Sequence, residues 1–202
     1  MTTSEIVQLA TLITVVVGLW KGIAEYKRSN RWKMAEFAAS HISALHDDDE
    51  LEFACFLLEY QSAVLLVPER YRAILGGKET IDHTAKKLEA AMVRILDYAE
   101  VRSNPELLLY RNTLDRLLGY FAETNDMLDR RLIAVQHIAF CDYYINRMLP
   151  FKHATTKRTA DIFQPFMEEF GYWDQVCDLR GRISAFRKAP KSLLQISRAY
   201  SL

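Results

Sequence analysis

Residues 6–20 read IVQLATLITVVVGLW, and the reading of this uncharged stretch decides the fold. As a helix it rises ~22 Å, short of the ~30 Å hydrocarbon core of a bilayer. Lys21 can snorkel outward while Gly22, Ile23 and Ala24 extend the apolar surface. Counted from Ser4 to Ala24, the length is adequate. A cleaved secretory signal carries basic residues before its apolar run and small residues at the cut. Here Glu5 leads, and Lys21, Lys27, Arg28, Arg31 and Lys33 follow. The positive-inside rule therefore puts the N-terminus outside and the body in the cytoplasm. The competing reading is a long soluble helix packed on a partner or on the rest of the fold.

Two details of the stretch point to self-association. Gly18 and Gly22 form a GxxxG pair that lets helices approach closely. Thr11, Thr14, Gly18, Lys21 and Glu25 share one stripe at three- and four-residue spacing, a face suited to a neighbouring helix or a pore lining.

Outward from this segment the chain reads as helix throughout. Residues 25–45 contain no Pro or Gly and are amphipathic, so the first helix runs on without a break. Asp47, Asp48, Asp49 and Glu50 then place carboxylates at a helix start, where the dipole favours them. Beside them His46 reads as a capping residue rather than a metal ligand. Residues 51–67 are apolar on nearly all sides and read as a central buried helix. Pro68 starts a short helix that Gly76 and Gly77 end. A helix over 80–102 would bury Ile81, Ala85, Leu88, Met92, Ile95 and Ala99. Asn104-Pro105 opens another, with Leu107, Tyr110, Leu114, Leu117 and Phe121 inward. Thr124-Asn125-Asp126 reads as the cap of a further helix reaching Leu149, which Pro150 stops. Shorter helices follow over 159–170 and 172–185. From Arg180 on, basic residues (Arg180, Arg182, Arg187, Lys188, Lys191, Arg198) alternate with apolar ones and no acid, as in a segment lying on an anionic surface.

The expected architecture is all-α. An anchor helix (1–26) leads into a multi-helix bundle (27–178) and a basic amphipathic tail (179–202). The composition agrees. Half of the 202 residues are apolar, with only seven Gly and five Pro, which favours long helices over many tight turns. Basic and acidic residues balance at 26 each, so bulk charge names no partner. Cys55, Cys141 and Cys177 form no CxxC pair, and the first two sit among apolar residues as buried reduced thiols.

No phosphate-binding glycine loop, metalloprotease helix motif, nucleophile elbow or calcium loop occurs. No cofactor or metal ligand set is expected. What recurs is Arg followed at a fixed distance by His. Five residues separate Arg147 from His153 and Arg131 from His137, with Arg130 one place earlier. His transfers protons near neutral pH and Arg stabilises phosphate charge. This spacing resembles the signature of the ribonuclease-like HEPN domains, in which Arg and His from two protomers act on RNA. Pro150 inside the first copy departs from the family's unbroken helix. The second copy reads as lying in an intact helix, where His137, Phe140, Tyr144 and Arg147 share a face. The ordinary reading is a His at the core's edge with an Arg packed beside it.

The order of features, with the junction EYKRSNRWKMAEFAASHI at 25–42 and the late Arg147–His153 pair, resembles the accessory membrane proteins of type VI-B CRISPR systems. The resemblance implies a HEPN-like body, a bacterial inner-membrane location and a homo-oligomeric ring. The implied activity is a pore that depolarises infected cells alongside an RNA-guided nuclease. Arg147 and His153 alone carry over, as pore or assembly residues. The stripe Thr11, Thr14, Gly18, Lys21 and Gly22 would face neighbouring copies. The alternatives are a membrane-tethered HEPN-like ribonuclease acting on RNA, and a non-catalytic adaptor.

Overall fold

The computed structural model describes residues 3–92, 98–149 and 157–189; in these ranges the side chains of residues 5–7, 9, 10, 98 and 157–161 lie outside the description. The described residues are mostly helical, and among them is one two-stranded antiparallel sheet. Helix α1 spans Thr3–Asp47 without a break. Between residues 11 and 33 every position is exposed. Among the described residues, it is its last part that meets the body, where Ala38, His41 and Leu45 are buried. Asp48 leaves the helical conformation and caps α2 (Asp49–Glu59), its carboxylate accepting from the Glu50 and Leu51 amides at 3.0 and 3.2 Å.

Helix α2 buries Leu51, Phe53, Ala54, Leu57 and Leu58, but it stops at Glu59 rather than running to Val67. Tyr60 is extended, and Ser62–Leu66 forms strand β1. An all-apolar run of this length does not distinguish strand from helix by periodicity. The partner decides: β1 pairs antiparallel with β2 (Thr80–Thr84), matching Leu65 with Ile81. These two point inward, while Val64 and Leu66 point out. The connection holds α3 (Glu69–Arg72) and ends at Gly76 and Gly77, both at positive φ, where a Cβ would be strained.

The helix expected over 80–102 is likewise corrected. Its first five residues are β2, Thr84 caps α4 (Ala85–Ala91), and α5 begins at Tyr98 (Tyr98–Ser103). Leu88 and Met92 are buried as expected, Ala99 is exposed, and Ile95 lies outside the described residues.

Helix α6 (Pro105–Asp129) is the central element, with Asn104 as its cap and Pro105 in its first turn. Leu107, Tyr110, Leu114, Leu117 and Phe121 are all buried against α2, α4, α5 and α10 (Trp173–Lys188). The expected cap at Thr124-Asn125-Asp126 is instead interior helix. Thr124 donates to Tyr120 O (2.7 Å) and Asn125 donates to Asp178 on α10 (3.1 Å). Tertiary partners for these polar side chains outweigh their local preference for capping. The chain reverses at Arg131, whose φ is +57. Then come α7 (Val135–Ile138), a 3-10 turn (Ala139–Cys141) and α8 (Asp142–Met148), not one helix to Leu149. Helix α9 (Lys157–Glu169) packs Phe163, Phe166 and Met167 into the core. Cys55 and Cys141 are buried free thiols.

Helix α10 crosses the expected start of the tail at 179 and buries Leu179 and Ile183. Arg182 is paired with Asp129 and Asp178, and Arg187 with Asp142. Lys191 and Arg198 lie outside the described residues. Among the described residues no helix is long and apolar enough to cross a membrane; the head of the apolar run, at residues 6, 7, 9 and 10, is not among the described side chains.

Candidate functional site

Of the Arg–His pairs, the structure describes Arg147 and the whole of the Arg130, Arg131 and His137 set. Arg147, near the end of α8, turns toward the C-terminus of α2. Its Nη1 donates to the carbonyls of Leu58 (2.8 Å) and Glu59 (3.0 Å), and its Nη2 donates to Tyr143 Oη (2.6 Å). The guanidinium also lies 4.5 Å from the centre of the Tyr143 ring. The last carbonyls of a helix have no partner within it and carry its negative dipole end, so Arg147 acts as a side-chain cap. His153 lies outside the described residues.

The second copy is not in an intact helix. Arg130 and Arg131 are exposed at the reversal after α6, while His137 belongs to α7. His137 Nδ1 accepts from the Ala134 amide at 3.3 Å, and Nε2 lies 3.4 Å from Gln136 Nε2. The 3-10 turn at 139–141 breaks the common face proposed for His137, Phe140, Tyr144 and Arg147. On α1, Thr11, Thr14, Gly18, Lys21 and Gly22 are all exposed, and nothing lies within 4 Å of where a Cβ would stand on either glycine.

The structure brings together a different set, which the sequence reading missed. A cleft of about 560 Å³ opens between the end of α1, the start of α2 and one side of α6. Its polar lining is Ser40, His41, Asp48, Asp115, Arg116, Glu123 and Tyr172, set among Phe37, Leu51, Tyr120 and Met127. Asp115, Gly119 and Glu123 are spaced by four residues on α6, so the two carboxylates flank a position with no side chain. That spacing was visible in the sequence. Its meaning depends on α1 crossing beside it.

His41 is 8% exposed and stacks on Tyr120, ring centres 4.3 Å apart and planes 5° from parallel. Its Nε2 lies 2.8 Å from Thr124 Oγ1. The Thr124 hydroxyl donates its only hydrogen to Tyr120 O, so it accepts from His41, which puts the imidazole proton on Nε2. Nδ1 is then a lone-pair acceptor with no hydrogen-bond partner among the described residues. Burial lowers the pKa of His41, opposed by the Glu123 carboxylate. Arg116 is held by Asp48, with Glu50 at 4.0 Å, and the Asp48 hydrogen bond raises its pKa. Burial, and then the Asp115 carboxylate, raise the pKa of the Tyr172 hydroxyl. Neither Asp115 nor Glu123 is ion-paired with a described residue. The cleft therefore presents hydrogen-bond acceptors beside aromatic and aliphatic surface.

A second buried histidine is structural. His83 on β2 meets Tyr110 Oη at 3.0 Å and Tyr60 O at 2.8 Å, tying the hairpin to α6 and to the end of α2. Among the described residues no three His, Cys, Asp or Glu side chains converge as metal ligands. Comparison with known protein families, curated proteins and solved structures finds no match to this chain.

Proposed function

We propose that this is a membrane-anchored helical protein in which residues 4–24 of α1 enter the bilayer and the remaining helices form a body on the side of the basic flank. The observation that carries the reading is the state of α1. Leu12, Ile13, Val15, Val16, Val17, Leu19, Trp20 and Ile23 are exposed, from 53% at Val15 to 72% at Trp20. At 3.6 residues per turn they occupy an arc of about 200°, wider than the stripe a surface helix usually lays on a soluble core, and they leave Thr11, Thr14, Gly18 and Lys21 on the other side. Lipid can cover such an arc. Residues 4–24 rise ~31 Å as a helix, against ~30 Å of hydrocarbon. The seven aliphatic side chains among the eight contribute about 2–4 kcal/mol of insertion on a translocon scale. Lys21 sits where its ammonium reaches the headgroups, and Trp20 and Tyr26 suit the interface.

Within this proposal, copies associate along Thr11, Thr14, Gly18, Lys21 and Gly22. One helix cannot enclose a lumen, so a pore or depolarising effector requires the oligomer. The ribonuclease alternative draws no support from Arg147, whose guanidinium is engaged by α2 and Tyr143. Flotation of the full chain with liposomes tests the anchor: the protein rises with the lipid and resists carbonate extraction. Recovery in the soluble fraction as a stable monomer without detergent overturns the proposal. Size measurement in detergent and dye-release from the same liposomes then test the oligomer and the pore separately.

A further inference from the structure

The α1–α6 cleft has the makings of a ligand site that owes nothing to the membrane anchor. Its volume of about 560 Å³ falls in the range of small-molecule sites. Among the described residues its carboxylates without an ion pair are Asp115 and Glu123, beside the Nδ1 acceptor of the nine-tenths buried His41 and the Ser40 hydroxyl, which can donate or accept. Among the described residues its one permanent cation is Arg116, held by Asp48 and Glu50 at one edge. A ligand that matches this lining must donate hydrogen bonds, carry positive charge and lay an apolar body on Phe37, Tyr120 and Met127. The absence of three converging ligands among the described residues argues for an organic cation over a metal ion.

The spacing narrows the class. Asp115 and Glu123 are eight residues apart on one helix, so their attachment points are separated by ~12 Å along the axis. Gly119 lies midway, and the nearest group to a Cβ there is Tyr172 Oη at 3.8 Å. A Cβ there would stand in ordinary contact with that hydroxyl, so the helix backbone is bare between the carboxylates and Tyr172 borders the path a chain would take. We infer that this cleft binds an aliphatic diamine or polyamine lengthwise, one ammonium at Asp115 and Tyr172, the other at Glu123, with the methylenes over Gly119 and His41. The site recognises length as well as charge, because a short diamine reaches only one carboxylate at a time.

Titration calorimetry on the full chain in neutral detergent, at physiological ionic strength, tests this with octamethylenediamine, tetramethylenediamine and octylamine. The eight-carbon diamine should bind saturably and at least tenfold more tightly than either of the others. Asp115→Asn and Glu123→Gln should each weaken it about tenfold. Both keep an acceptor oxygen, and neither side chain belongs to the buried core, Asp115 being half-buried and Glu123 exposed, so folding is preserved. Gly119→Leu puts a branched side chain on this bare stretch of helix beside Tyr172 while both carboxylates remain in the chain, and should abolish binding while the protein still unfolds cooperatively. The inference is overturned by any of three results: no saturable binding, equal affinity for the three amines, or undiminished binding to the double variant Asp115→Asn/Glu123→Gln.

Discussion

Replacing Arg147 by Ala separates a scaffold role from a catalytic one. In the structure this side chain makes two hydrogen bonds to the last carbonyls of α2, one to Tyr143 Oη, and a stacking contact with the Tyr143 ring. A hydrogen bond with a charged partner contributes ~1.5–3 kcal/mol when well shielded. A cation–π contact at an exposed site adds ~0.5–1 kcal/mol, and a cation at a helix C-terminus ~0.3–1 kcal/mol. These contributions belong to one exposed group and overlap, so the net loss on truncation is about 2 kcal/mol. For a chain of this size that lowers the melting midpoint by ~4–8 °C. Arg147→Lys keeps the charge and loses the fork, and should fall between the two. The assay is thermal unfolding of the full chain in detergent, followed by far-UV circular dichroism. A midpoint for Arg147→Ala within ~1 °C of the parent protein refutes the capping role. The guanidinium would then be free for chemistry, and the ribonuclease reading would gain ground.

The other predictions concern the anchor and the two buried histidines. Val16→Asp, near the middle of the anchor, costs ~3 kcal/mol of insertion, and so should shift partition from membrane to supernatant about 100-fold, read by flotation. Thr124→Val leaves the His41 Nε2–H buried without its acceptor, and should cost ~1–3 kcal/mol in urea unfolding. Burial lowers the pKa of both His41 and His83 from the ordinary 6.5. Above that value both are neutral folded and unfolded; below it the unfolded chain takes up the protons first. Stability is therefore full above 6.5 and falls on acidification until the folded-state values are reached. The slope is at most ~1.4 kcal/mol per pH unit for each histidine. Urea midpoints for the parent and His41→Gln, from about pH 7.5 to about pH 5.5, should converge as pH falls. Parallel curves exclude His41 as a contributor.

What the sequence determined by itself was whatever is encoded by neighbours along the chain. The charge-free start and the absence of Pro and Gly over 25–45 specify the long α1, and three- and four-residue spacing marks the buried face of α6. Asp48, Asn104 and the Gly76–Gly77 pair mark boundaries through their own local hydrogen bonding and backbone freedom. What depended on partners distant in sequence was decided only by the tertiary structure. Residues 62–66 became a strand because Thr80–Thr84 lies alongside, and Thr124 stayed within a helix because His41, 83 residues away, binds its hydroxyl. The same holds for the sites. Arg–His spacing is one-dimensional and did not foresee that the α2 carbonyls would claim Arg147. The cleft of His41, Asp115 and Glu123 exists only because α1 lies beside α6, an arrangement fixed by burying apolar area from segments that no local pattern links.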